Sequence, residues 1–190
     1  VHWGRYHDVP IFSDECYVEF TWGKPPSTIL DHGTEGVIAV HSLSKRSNLA
    51  GLRAGFYAGD PNIVHWLSEV RKHAGKMIPG PVQAGSVLAW GDDVHVDEQR
   101  VIYENRLETL LDLFQRLGYT VSKPEGAFYL WAKSDEFDCW TIVNDLAKEF
   151  GVLVTPGDFF GDRSRQNVRI AAVQPDPVIS LLQERIHARL

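Results

Sequence analysis

A lysine placed after two hydroxyls, with arginines close behind, is the strongest chemical cluster in this chain. It reads His41-Ser42-Leu43-Ser44-Lys45-Arg46-Ser47-Asn48-Leu49-Ala50-Gly51-Leu52-Arg53-Ala54-Gly55. Hydroxyls and a guanidinium beside small residues can hold a phosphate, and Lys45 can present an amine to a carbonyl. Taken alone, Ser42–Lys45 also fits a plain polar loop between strands. A second cluster is Ser13-Asp14-Glu15-Cys16-Tyr17, where a carboxylate ends an apolar run and serves either as a turn cap or as a functional anion. A third is Thr155-Pro156-Gly157-Asp158-Phe159-Phe160-Gly161, followed by Val168-Arg169-Ile170-Ala171. A guanidinium between Val and Ile is costly to bury alone. Arg169 therefore pairs either with an internal carboxylate or with an anionic ligand, which its planar fork can grip by two hydrogen bonds.

These clusters need scaffolding, and the apolar pattern supplies it. Val9–Phe12, Gly36–Val40 and Ala54–Ala58 read as strands, the second apolar enough to be covered on both faces. If the first two are parallel neighbours, Asp14 comes close to Lys45, because ligands gather where such strands end. Asp60-Pro61 opens a helix that Gly75 closes, and a shorter one follows over about 82–90. The longest helix begins near Asp97, with Tyr103, Leu107, Leu110, Leu111, Phe114 and Leu117 on one stripe, and ends at Gly118. Beyond it, Tyr119–Ser122, Phe128–Trp131, Val152–Val154 and Val168–Ala171 read as strands. One helix is expected over Val143–Phe150, and a last one from Asp176 through Leu182, Ile186 and Leu190. The alternation is that of an α/β protein. It divides into an amino-terminal part, residues 1–96, a connecting helix, 97–118, and a smaller α/β part, 119–190.

The chain has 190 residues, 44% hydrophobic and 23% charged, which fits a globular protein and excludes a disordered or collagenous one. Nineteen basic residues against 25 acidic give a net charge of −6, which argues against nucleic-acid or anionic-membrane partners. No apolar run approaches the roughly 18–20 residues of a membrane span. Cys16 and Cys139 are too few for a disulfide framework, so a reducing, cytoplasmic setting is expected. No metal site is expected, since His2 and His7 are badly spaced on a helix and neither cysteine has a neighbour of its kind. Trp22 and Trp131 read as core residues in preference to substrate contacts.

Together, Ser42-Leu43-Ser44-Lys45 with Gly51 and Arg53, the earlier Asp14-x-x-Tyr17 and the later Arg169 resemble the class I/II pyridoxal-phosphate aminotransferases. Tyr103-x-x-Arg106, Pro124-x-Gly126-x-Phe128 and Pro156-Gly157-x-x-Phe160-Gly161 match as well. More narrowly, Ser44–Gly51 with Phe56–Asp60, Arg71–Gly75 and Pro81-x-Gln83-Ala84 resemble the actinobacterial succinyldiaminopimelate aminotransferases of lysine biosynthesis. The resemblance implies fold type I. Residues 1–96 are then the carboxy-terminal part of a large, mainly parallel, cofactor-binding domain, and 119–190 a small carboxy-terminal domain. It also implies roles. Lys45 is the lysine that condenses with the pyridoxal 5′-phosphate aldehyde, and Asp14 pairs with the pyridine nitrogen. Tyr17 donates to the ring oxygen, Ser42 and Arg53 hold the phosphate, and Arg169 clamps the substrate α-carboxylate. Arg46 and the following helix are expected to help keep the Lys45 amine neutral.

Such a protein exchanges amino groups between small amino and keto acids, glutamate being the expected donor, and works as a homodimer. Members of the family are about twice this length, so this sequence reads as a carboxy-terminal half. By itself it is expected to be poorly soluble and inactive. Two other classes compete. Ser42-x-x-Lys45 also fits acyl-enzyme serine hydrolases, but the Lys-Thr-Gly that accompanies it there is absent. An aminotransferase-like module with a regulatory role is the other, against which Lys45, Asp14 and Arg169 are all retained.

Overall fold

The computed structural model describes residues Val1–Arg189, so Leu190, expected in the last helix, lies outside the described residues. Two compact units divide the chain, Val1–Glu98 and Gln99–Leu190. The division falls inside a long helix.

The first unit is built on three strands, β1 (Ile11–Asp14), β2 (Val37–Ser42) and β3 (Gly55–Gly59), in that spatial order. Strands β1 and β2 are parallel, with Asp14 opposite Val40. Strand β3 returns antiparallel to β2, with Gly55 opposite Ser42, so one of this sheet's two pairings is parallel and the other antiparallel. The reason is local. A parallel return normally needs a full crossover helix. Between β2 and β3 there is only a four-residue helix, α2 (Leu43–Arg46), and a 3-10 turn at Ala50–Leu52. Val37, Ile38 and Ala39 are buried on β2, as a strand covered on both faces requires. Gly55 is required where it stands, because a Cβ there would collide with the His41 carbonyl oxygen. The helices are α1 (His2–His7), α3 (Pro61–His73) and α4 (Gly80–Trp90). Asp60 caps α3 by accepting from the amides of Asn62 at 2.9 Å and Ile63 at 3.3 Å, with Pro61 at the first turn.

The next helix, α5 (Val94–Arg116), starts three residues before the expected Asp97. In its part within the second unit, Tyr103, Leu107, Leu110 and Phe114 of the expected stripe are buried, Leu111 and, just past the helix end, Leu117 are half-buried, and Leu113, outside that stripe, is buried as well. The sheet of this unit has spatial order β4 (Tyr129–Lys133), β6 (Asn167–Ala171), β5 (Thr155–Pro156), and both pairings are antiparallel. Strand β5 lies just past the expected Val152–Val154. The expected strand over 119–122 is reduced to a single bridge between Thr120 and Lys133. Helices α6 (Cys139–Phe150) and α7 (Asp176–His187) complete the layer. Asp138 caps α6 through the amides of Trp140 and Thr141, both 2.9 Å away, and Gly151 at φ 69° ends it.

Leu107, Phe114, Leu130, Val168 and Ile186 have no exposed surface and form the centre of this unit's core. Leu107→Ala is expected to lower stability by about 2–5 kcal/mol, the transfer term plus the cavity left behind. A shift of the denaturation midpoint with an unchanged slope checks this, and an unshifted midpoint contradicts the packing.

Candidate active site

Parallel pairing of β1 and β2 brings their polar ends together. At the end of β1 the chain turns, and the Cys16 amide donates to Asp14 Oδ1 at 3.1 Å. The Cys16 thiol lies 3.9 Å from the Val40 carbonyl oxygen on β2. Burial, then a hydrogen bond to Asp14, push the Cys16 thiol up to about 12, so it stays protonated. The thiol and amide of Cys16 in turn hold the Asp14 carboxyl below its ordinary value. Glu19 and Lys45 are the other charges that Cys16 feels. Lys45, on the turn α2, places its ammonium 5.7 Å from the centre of the Tyr17 ring. Asp14, Tyr17 and Lys45 are thus gathered around Cys16.

Ser42 ends β2 and caps α2, its hydroxyl accepting from the Ser44 amide at 3.1 Å. Arg53 has φ 53° and ψ 39°, a left-handed conformation that costs a non-glycine residue about 1 kcal/mol. Its side chain folds back, and Nη1 donates to the Ala50 carbonyl at 2.9 Å. Cys16, Ser42, Ser44 and Arg53 all line one open cavity of about 730 Å³. Hydroxyls and a guanidinium therefore face the same space as the thiol that holds Asp14.

Arg46 has a different task from the one expected. It is buried, with Nε 3.2 Å from Glu19 Oε1 and Nη2 paired with Asp93. Nη1 donates to the carbonyls of Ala89 and Asp92, both at 3.3 Å, and the guanidinium lies over the Trp90 ring. Its charge is committed to fastening α2 against the end of α4. A four-residue α2 also offers little helix dipole to Lys45. Glu15 is another buried polar group outside the sequence-based list. Its Oε1 accepts from the Ile29 amide at 2.7 Å, and Oε2 lies 3.3 Å from His41 Nε2. His41 stacks on Phe56, with ring centroids 4.8 Å apart.

Arg169 belongs to the second unit. It sits on the central strand β6, opposite Trp131 on β4 and Thr155 on β5. The guanidinium lies 4.6 Å from the Tyr129 ring centre and 5.1 Å from that of Phe160. Nη2 donates to Thr155 Oγ1 at 3.4 Å, while the buried Nε has no hydrogen-bond partner among the described residues. Among the described residues, the internal carboxylate considered from sequence is not seen in its contacts. A buried donor without an acceptor is expensive, which favours an anion as the missing partner. Gly157 makes this corner possible, since a Cβ there would collide with the Ser164 carbonyl oxygen. Of the two tryptophans, Trp22 is in the core as expected, whereas Trp131 is 40% exposed.

Comparison with known proteins places this geometry. Residues 4–184 match the family model described as aminotransferase class I and II. The chain is 44% identical to 4-dedimethylamino-4-oxo-anhydrotetracycline transaminase OxyQ of Streptomyces rimosus, over 98% of its own length and 53% of that protein. It is 31% identical to LL-diaminopimelate aminotransferase of Aquifex aeolicus, over 98% of the chain and 49% of the relative. The substrate-bound structure of BacF from Bacillus subtilis superposes with a TM-score of 0.86 at 28% identity, covering 99% of this chain and 49% of that one. The chain spans about half the length of the curated relatives it matches. The fold is that of fold-type I aminotransferases, as expected from the sequence. Pyridoxal 5′-phosphate is the cofactor of this family, and the residues of the first unit fit it: the Lys45 amine, the Asp14 carboxylate held below its ordinary value and the Tyr17 phenol gather around Cys16, and Cys16 shares a cavity with the phosphate donors Ser42 and Arg53. The chain belongs to the class I and II aminotransferases.

Proposed function

We propose that this chain serves a pyridoxal-phosphate-dependent transamination between glutamate/2-oxoglutarate and an amino or keto acid, with N-succinyl-diaminopimelate of lysine biosynthesis as the substrate. The observation that carries the reading is the convergence of Asp14, Tyr17 and Lys45 around Cys16 at the ends of two parallel strands. In this reading residues 1–96 are part of the large cofactor-binding domain, 97–118 the connecting helix and 119–190 the small domain. The finer substrate assignment draws support from the motifs shared with succinyldiaminopimelate aminotransferases and from the LL-diaminopimelate aminotransferase among the relatives. A homodimer in the cytoplasm completes the proposal, in keeping with two free cysteines and a net charge of −6.

When bound, the cofactor supplies an aldehyde for exchange of amines and a ring able to accept electrons. The residues do the rest. Lys45 Nζ would hold the cofactor and would take and return the proton at the substrate Cα. Asp14, kept ionised by Cys16, holds the ring nitrogen protonated. The Tyr17 hydroxyl would donate to the ring oxygen, and Ser42 and Arg53 would hold the phosphate. Arg169 orients the substrate by gripping its α-carboxylate with two parallel hydrogen bonds.

Arg169→Lys keeps the charge and loses the fork. KM for glutamate and for the keto acceptor should rise together, by about tenfold or more, with the larger loss in kcat/KM. An unchanged KM for both returns Arg169 to a purely structural role. A survey of acceptors with the loaded enzyme tests the substrate: N-succinylated diaminopimelate is expected to outperform the free diamino acid. The reverse order would transfer the assignment to the unsuccinylated compound.

A further inference from the structure

Trp131 was expected in the core, yet it stands exposed beside Arg169. It and Arg169 are direct cross-strand partners on β4 and β6, so their side chains project from the same face of the sheet. Phe160 closes the other side. Its ring meets that of Trp131 edge-on at 90°, with centroids 5.2 Å apart, and it is 49% exposed. The result is a corner with a guanidinium at its base and two accessible aromatic rings as its wall. The buried Arg169 Nε, without a partner among the described residues, marks the base as the place for an anion.

Charge decides what the wall can accept. The Arg169 guanidinium already lies over the Tyr129 and Phe160 rings. A second cation brought to the wall would meet the like charge of the guanidinium, which lies 5.1 Å from the Phe160 ring centre. An uncharged planar group meets no such penalty and can stack on the exposed indole. We propose that Trp131 and Phe160 form a subsite for an uncharged planar group, an amide or an aryl ring, carried by the same carboxylate ligand that Arg169 holds, and that the corner rejects an ammonium there. The inference rests on the Arg169 role given above. It adds a selectivity for acylated over free amines that the carboxylate clamp alone does not provide.

Four carboxylates test this as competitors of the amino donor in the loaded enzyme: butyrate and β-alanine as the small pair, N-acetyl-β-alanine and 3-phenylpropionate as the planar pair. Binding is also read directly, by saturation transfer from indole protons to the ligand. N-Acetyl-β-alanine and 3-phenylpropionate should bind about three- to tenfold tighter than butyrate, the range typical of an aromatic contact. β-Alanine should bind more weakly than butyrate. Trp131→Ala should bring the two planar ligands down to the butyrate level and leave butyrate itself unchanged, while Trp131→Phe keeps most of the preference. Loss of the indole transfer signal in Trp131→Ala would identify the ring in contact. Equal affinities in the unaltered enzyme, or a preference that survives Trp131→Ala, would overturn the subsite while leaving the clamp intact. If Arg169→Lys changes none of the four affinities, the clamp itself fails, and the subsite with it.

Discussion

Lys45→Ala is expected to reduce turnover by at least about 10³-fold, because no other group on α2 can take over proton transfer at the substrate Cα. The neighbours along the turn are Ser44, Arg46 and Ser47, and Arg46 is already paired with Glu19 and Asp93. Lys45→Arg is the sharper variant. It retains a cation near the Tyr17 ring, a contact of about 0.5–1 kcal/mol, but cannot exchange bonds with an aldehyde or serve as a base near neutral pH. Both variants should fold, since Lys45 is only half-buried, and thermal midpoints close to that of the unaltered enzyme would confirm it. Single-turnover rates with glutamate measure the loss. Rates within tenfold of the original in either variant would remove Lys45 from the chemistry.

Asp14→Ala should cost about 10²–10³-fold or more in turnover, because the ring nitrogen loses the anion that keeps it protonated. Asp14→Asn separates charge from shape. It still accepts the Cys16 amide bond, so a comparable loss assigns the effect to charge, whereas near-normal activity would assign Asp14 to the turn alone. The direction of its pKa sets the pH dependence. Hydrogen bonds from Cys16 depress the folded value below the ordinary one. The stabilisation from ionised Asp14 is therefore complete above its unfolded pKa and is lost only as pH falls through the lower, folded value. The acid limb of activity that belongs to Asp14 should accordingly lie below the usual carboxylate range. Cys16→Val removes the thiol donor, and that limb should move upward.

The strands that carry the first unit were legible because β2 is a continuous apolar run with polar residues at its end, and α3 because Asp60-Pro61 announces it. Asp14, Lys45 and Arg169 stood out as charges next to apolar runs, where a charge needs a reason. What the sequence hid was pairing. The antiparallel return of β3 depends on how tightly 43–54 turns, and β5 is a strand only because β6 lies alongside Thr155 and Pro156. Cys16 was passed over as a solitary thiol, since its hold on Asp14 arises from the turn after β1. Arg46 adjoins Lys45 in sequence, but Glu19, Asp93 and the carbonyls that engage it lie 27 to 47 residues away. Trp131 stands on the outer face of a strand and Trp22 in a buried bend, a distinction that apolar content alone does not reveal.

The most direct measurement is the identity of the residue that carries the cofactor. The enzyme containing this chain, loaded with pyridoxal 5′-phosphate and reduced with borohydride, should yield one labelled peptide after proteolysis, with the modification on Lys45. The account predicts that label and its disappearance in Lys45→Arg. A label on Lys72 or Lys76, which line the cavity of Ser42 and Arg53, would contradict it.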